Sequence, residues 1–389
     1  MSAPKRVLIV CETYPPRQWG QELAAQRLAR GLLALGLQVE VVTKDYQEGP
    51  PARQQDISPW HTVRESDGVE VTRIRSGERQ LHFTWLQQAL MVRGPADAVI
   101  AFAIGSYAAP AIAAACGWQV PGILWARGRD AMFDLFDWAL APAVFFAVRH
   151  ATQVLAVTKE MARLLQPFHP QGPVLAWPNV VDQSRFAPRP GKSDLRRRFG
   201  LPEGHLLVGF SGHLRPSKGV DEMLGALVRL RQQRPDAGLV VIGGISTRCE
   251  PTVTAWRRQY PEHAACLHIV PFVEPAQLPD VLCCLDQAWF PVIFDGFSNS
   301  LLETVACGIP VIATPIGGNP EIVRHGETGL LIPVGDADAL ATAALQLDQD
   351  PALATALAAQ ALAELPERHH PSLESERLKG LMQECGLLP

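Results

Sequence analysis

Short apolar runs punctuate this chain, each followed by a stretch long enough for a helix, and the whole pattern plays through twice. In the first pass a strand is predicted at Arg6–Cys11 and a loop over 12–20, followed by a helix. In that helix Ala25, Leu28, Leu32 and Leu35 repeat at helical spacing up to Gly36. A strand follows at 38–43, and nearly continuous apolar runs at 98–103, 120–125 and 152–157 read as strands buried on both faces. Strands alternating with helices in this way form a parallel, doubly wound sheet. The Pro- and Gly-rich stretch 187–193 (APRPGKS) interrupts the pattern, which restarts with runs at 206–210, 239–242, 287–292 and 310–314. A length of 389 residues also exceeds what one core usually organises. The reading is α/β with two domains, 1–188 and 189–370, and a last segment, 371–389, whose helix is in a position to return to the first domain. Ligands of open α/β sheets bind outside the carboxyl ends of the strands, so the two sheets are expected to face a central cleft.

Charge and cysteine usage narrow the partners. A net charge of -4 argues against nucleic acid, whose phosphates select strongly basic faces. The charge is uneven: residues 1–190 hold 19 Lys/Arg against 16 Asp/Glu, leaving -7 for the remainder, so the first half is the one suited to resting on an anionic membrane surface. The eight cysteines form no CxxC pair, and Cys283 and Cys284 are adjacent, which fits neither zinc spacing nor a disulfide framework. A reduced, cytoplasmic location is expected, including the cytoplasmic face of a membrane. The apolar run before Glu12 is too short for a signal-peptide core. The uncharged stretch 98–118 is long enough to span a bilayer, but Gly105, Ser106 and Pro110 divide it into a buried strand and an alanine-rich helix.

Chemistry concentrates in 290–321, FPVIFDGFSNSLLETVACGIPVIATPIGGNPE. A strand ends, Asp295 sits in the following loop, and Ser298, Asn299 and Ser300 open a helix whose Leu301, Leu302, Val305 and Ala306 face the core. Free amides and the positive dipole end of such a helix make a phosphate site. Glu303, in the second turn, is placed to accept from ribose hydroxyls, although Ser300 and Glu303 also have capping-box spacing. Gly317 and Gly318 precede Asn319, Pro320 and Glu321, which read as an N-cap, an N1 proline and a first-turn acid; the glycines also permit close approach of another backbone.

A second strand, loop and helix carry 211–219 (SGHLRPSKG), with His213, Arg215 and Lys218. The helix dipole disfavours a cation at Lys218 unless an anion outweighs it; the alternative is a solvated surface lysine. In the first half, Gly20 follows Trp19 and opens the first long helix, where backbone can meet a phosphate. Arg127 and Arg129 follow the strand at 122–126, so at least one should reach the crevice unless Asp130 or Asp134 pairs with them at the surface.

Taken together, these residues resemble glycosyltransferase family 4, a retaining family of the GT-B fold with two Rossmann-like domains, and the resemblance runs over nearly the whole chain. The strongest match is the family's E-x7-E region, Asp295 through Glu303, continuing through Ala306-Cys-Gly-Ile-Pro310 and Gly317-Gly-Asn-Pro-Glu321. Supporting matches are Tyr14-Pro-Pro with Trp19-Gly20, Pro178-Asn-Val-Val-Asp182 with Phe186, and Ser211-Gly-His-Leu with Lys218-Gly219. The resemblance implies that Glu303 binds the donor ribose, Asp295 the sugar hydroxyls and Lys218 the diphosphate. Gly212, His213, Gly296, Phe297, Ser298, Asn299, Ser300 and Leu301 would complete the donor pocket. By the same resemblance Gly20 contacts the donor from the first domain, Val273 in the segment 271–273 lies beside the base, and Trp19, Arg127 and Arg129 belong to the acceptor side. Three positions depart from the family pattern. Asp295 replaces a glutamate, His213 stands where a phosphate-binding arginine is common, which makes Arg215 the other candidate, and Arg127 stands where a histidine often follows the fourth strand.

The chemistry so implied is retaining transfer of a hexosyl unit from a nucleotide-diphosphate sugar to a hydroxyl acceptor, whether glycan, lipid-linked sugar or small molecule. The nucleotide sugar is a co-substrate, with no further cofactor and no metal. Lys218, a helper cation and the helix amides would supply the electrostatic field. One alternative is a metal-dependent enzyme using Asp336-Ala-Asp338 or Asp348-Gln-Asp350, but neither follows a strand. A nicotinamide oxidoreductase is disfavoured because ETYPPRQWG, not GxGxxG, follows the first strand. A catalytically silent nucleotide-sugar-binding partner is the third, motivated by the substitutions at 295, 213 and 127.

Overall fold

The computed structural model describes residues 4–16, 20–46, 59–75, 79–271 and 273–389. They form two compact units, Met1–Pro178 together with Glu374–Pro389, and Asn179–Leu373. The residues at 179–188, placed with the first domain on sequence grounds, thus belong to the second unit. Val181 N, for instance, donates to His369 O at 2.9 Å.

Among the described residues the first unit holds eight strands: β1 (Arg6–Cys11), β2 (Gln38–Lys44), β3 (Trp60–Arg64), β4 (Glu70–Ile74), β5 (Ala98–Phe102), β6 (Gly122–Ala126), β7 (Gln153–Ala156) and β8 (Val174–Ala176). Their order is β3-β4-β2-β1-β5-β6-β7-β8. Only β3 with β4 is antiparallel; the other pairs are parallel. Strands β5 and β6 are buried at every position, which is why their sequences are continuously apolar rather than alternating. The stretch 98–118 divides as expected into β5 and the helix Ala108–Trp118. Among the described residues no helix is long and apolar enough to cross a membrane.

The helix Pro371–Glu384 brings Leu378, Leu381 and Met382 into the same buried core as Leu28 and Leu32 of helix Gly20–Ala34. Gly31 makes the approach feasible, since a Cβ there would stand 2.9 Å from Leu378 Cδ2. Arg27 Nε donates to Glu374 Oε2 at 2.6 Å alongside.

The second unit holds six strands: β9 (Leu207–Ser211), β10 (Gly238–Ile242), β11 (Leu267–Val270), β12 (Gln287–Phe290), β13 (Val311–Ala313) and β14 (Leu330–Leu331). All pairs are parallel, in the order β11-β10-β9-β12-β13-β14. From β9 the chain winds outward through β10 and β11, then returns to the far side of β9 and winds the other way from β12. The strand order therefore reverses between β9 and β12, and a crevice opens at their carboxyl ends.

Candidate active site

Two loops leave the sheet at this reversal, one after β9 and one after β12. They are joined through backbone, because Ser217 O accepts from Ile293 N at 2.9 Å and from Phe294 N at 3.3 Å. Gly219 sits at the tightest point with φ 74°, and a Cβ there would fall 2.1 Å from Pro291 O, so no side chain fits. Lys218 is the last residue of a single 3-10 turn, Pro216–Lys218, directly ahead of helix Val220–Gln233. Its Nζ donates to Asp295 Oδ2 at 2.6 Å, with the two side chains only 21% and 20% exposed. The other carboxylate oxygen, Oδ1, accepts from Gly296 N at 3.0 Å, which orients the group. Of the three basic candidates in the loop, Lys218 is the one brought to Asp295. His213 and Arg215 are exposed, and His213 Nδ1 donates to Gly243 O at 3.2 Å.

Helix Asn299–Ala306 starts beside this pair. Its N-cap is Ser298, whose hydroxyl accepts from Leu301 N at 3.3 Å. The capping-box reading of Ser300 and Glu303 is thereby overturned, since the cap lies two residues upstream. Ser300 belongs to the first turn, its Oγ 3.2 Å from Ser298 Oγ, and Glu303 is half-buried in the second turn. Gly212 lies next to the helix start, for a Cβ there would come within 3.8 Å of Ser300 Oγ. Leu301, Leu302, Val305 and Ala306 are buried, as the spacing predicts, and anchor the helix to the core.

The paired glycines make room for the protein's own loop. At Gly317 a Cβ would lie 2.4 Å from both Asp295 O and Gly296 O, and at Gly318 it would lie 2.4 Å from Phe297 Cδ2. Gly318 N donates to Gly296 O at 2.7 Å. Asn319 is not the N-cap expected of it. Helix Asn319–Ile322 is preceded by Gly318 as N-cap, and the Asn319 amide turns inward to donate to Thr314 O at 3.1 Å.

The Asp-x-Asp residues are engaged elsewhere. Asp336 and Asp350 cap helices by accepting from Ala339 N at 2.8 Å and Leu353 N at 2.9 Å. Asp348 receives Arg234 at 2.8 Å, and Asp338 pairs with Arg229.

In the first unit Gly20 is the first residue of its helix, and Trp19 lies outside the described residues. The Arg127 guanidinium lies over the rings of Phe102 and Trp125, 4.9 and 5.2 Å from their centroids, at the carboxyl ends of β5 and β6. Arg129 opens the short helix Arg129–Met132. Val273 is half-buried in the loop after β11, and Phe272 lies outside the described residues. Sequence reasoning passed over Ser217, which acts through its carbonyl and leaves no side-chain signal, and His369, which is buried against Phe297 with ring centroids 5.6 Å apart.

Each half of the chain matches a family model of its own. Residues 20–179 match the family model of a glycosyl transferase 4-like domain, and residues 205–350 match that of glycosyl transferases group 1. The GDP-mannose-dependent α-(1-6)-phosphatidylinositol monomannoside mannosyltransferase of Mycolicibacterium smegmatis is 31% identical over 235 residues, covering 57% of this chain and 60% of that protein. The lipopolysaccharide core biosynthesis mannosyltransferase LpsB of Rhizobium meliloti is 32% identical over 220 residues, covering 55% and 60%. The chain thus spans about 60% of the length of these curated relatives. Among solved structures, HepE of Anabaena in complex with UDP superposes with a TM-score of 0.80 over 97% of this chain and 100% of that one, at 18% identity. That likeness establishes the fold as GT-B. With one family model on each half and this fold throughout, the chain belongs to glycosyltransferase family 4.

Proposed function

We propose that this protein is a retaining glycosyltransferase, moving a hexosyl unit from a nucleotide-diphosphate sugar to a hydroxyl acceptor without a metal ion. The observation that carries the reading is the meeting of Lys218 and Asp295 at the reversal point of the second sheet, beside the start of helix Asn299–Ala306. A diphosphate seated there has the Lys218 ammonium, a second contact from the same loop in Arg215 or His213, and the first-turn amides of the helix. Charge builds on the departing diphosphate as its bond to the sugar lengthens, and fixed positive groups stabilise that charge. The acceptor oxygen then bonds to the anomeric carbon on the face the diphosphate leaves, and its proton passes to the departing phosphate oxygen. Asp295 binds sugar hydroxyls and Glu303 the ribose, so neither is a water-activating base on the opposite face.

The relatives support this donor class, since one is named for GDP-mannose and HepE was solved with UDP. A lipid-linked acceptor is supported by the phosphatidylinositol monomannoside in a relative's name. Peripheral contact of the first unit with the cytoplasmic face of a membrane is supported by Phe136 and Trp138, 74% and 89% exposed, with Phe133, Phe145 and Phe146 also exposed nearby in sequence. Aromatic rings in this density suit the headgroup region.

Proton NMR of freshly formed product, with the reaction run in a chelator such as EDTA, tests the proposal. Retained anomeric configuration and undiminished activity are expected. Inverted product, or activity abolished by chelation and restored by manganese, overturns it, and donor binding without any transfer points instead to a silent binding protein.

A further inference from the structure

Asn179 opens the second unit and His369 lies near its end, yet the two meet behind the loop that carries Asp295. They are 3% and 4% exposed. The Asn179 side-chain amide donates to Phe297 O at 3.3 Å. His369 Nδ1 faces Asn179 O at 2.8 Å, and because a carbonyl only accepts, Nδ1 carries the proton. The imidazole also packs on the Phe297 ring, at 5.6 Å between centroids, while Gly318 closes the space against that ring from another direction. Phe297 stands between Asp295-Gly296 and the Ser298 cap. Its carbonyl and its ring are therefore each held by a buried partner.

Burying an amide and an imidazole is costly unless their polar atoms are paired, and an apolar filling of the same space would avoid that cost. The hydrogen bonds supply what an apolar filling lacks, a single position for the Phe297 carbonyl. We propose that Asn179 and His369 are positioning residues for the donor site. They fix the Phe297 peptide and, through it, the Asp295 carboxylate and the Ser298 start of the helix. The inference rests on the reading of 295–303 as the donor site. Neither side chain is assigned a contact with the ligand.

The test is calorimetric titration of the full-length protein with UDP, GDP, ADP and dTDP in turn, using wild type, Asn179→Ala, His369→Leu, His369→Asn and Lys218→Ala. Each is measured where circular dichroism shows the variant folded. Asn179→Ala and His369→Leu are expected to raise the dissociation constant of whichever diphosphate binds wild type by roughly tenfold, about 1.4 kcal/mol. His369→Asn offers an amide donor near the position of Nδ1–H and is expected to recover to within about threefold of wild type. A residue that only stabilises the unit would lower the melting temperature and leave the dissociation constant of the folded protein unchanged. Wild-type affinity in folded Asn179→Ala or His369→Leu therefore overturns the proposal, as does His369→Asn binding no better than His369→Leu. Should Asn179→Ala not fold, the two His369 variants decide. Lys218→Ala separates the two readings. If it binds as wild type does, or if wild type binds no nucleoside diphosphate, the donor site itself is wrong. If Lys218→Ala alone loses affinity, the donor site stands and the brace falls.

Discussion

The helix that carries Glu303 starts two residues earlier than the capping-box spacing implies, with Ser298 rather than Ser300 as its cap. Because Ser298 supplies the cap, Glu303→Ala leaves the capping bond to Leu301 N in place. It should nonetheless weaken nucleotide-sugar binding by about 1–3 kcal/mol, since a ribose hydroxyl is left without its acceptor. Titration of the folded variant with the donor measures the loss, and an unchanged donor affinity removes Glu303 from the site. Lys218 and His213, in the neighbouring loop, also differ in their surroundings. Lys218 is held against Asp295, whereas His213 is exposed and turned to Gly243 O. Lys218→Ala should therefore cost turnover at least about tenfold more than His213→Ala, a difference of roughly 1.4 kcal/mol in the barrier. His213→Arg should be tolerated, and wild-type kcat/KM in Lys218→Ala would withdraw the diphosphate assignment.

Lys218 and Asp295 were both legible in the sequence as loop residues after strands, but their contact was not, because 77 positions separate them. Sheet order makes them neighbours, and short apolar runs announce that strands exist without saying which lie side by side. The strands that escaped notice are short or alternate in polarity. Strand β14 has two residues, and β3 lies at the edge of its sheet with exposed Thr62, Val63 and Arg64. Asn319 was misread because the glycine ahead of it already serves as the helix boundary, leaving its amide free to bind Thr314 O. At Gly219 the joined loops make a sharp prediction. Its positive φ alone disfavours any other residue by about 1–3 kcal/mol, and the carbonyl of Pro291 blocks a methyl group as well. Gly219→Ala should lower stability by at least that amount in denaturant titration and reduce turnover in the fraction that remains folded. A variant as stable and active as wild type would show that the two loops are not held as described.

At the scale of the whole chain, the last residues complete the first unit rather than extend the second. The helix was visible in the sequence at 371–384, but which core it enters depends on partners more than 300 positions away, such as Arg27 for Glu374. Met382 is 0% exposed within the first unit's core, whereas Lys379, three residues earlier on the same helix, is exposed. Truncating a fully buried methionine removes apolar contacts and leaves a cavity that the surroundings fill only in part. Met382→Ala should therefore destabilise the protein by about 2–5 kcal/mol. Lys379→Ala removes little but solvated methylenes and should stay within about 0.5 kcal/mol of wild type. Guanidinium unfolding followed by circular dichroism compares the two directly. The expected result is an early transition in Met382→Ala that is missing in Lys379→Ala, from loss of the first unit ahead of the second. Equal midpoints in the two variants would mean that the helix lies on the surface of the first unit without completing its core.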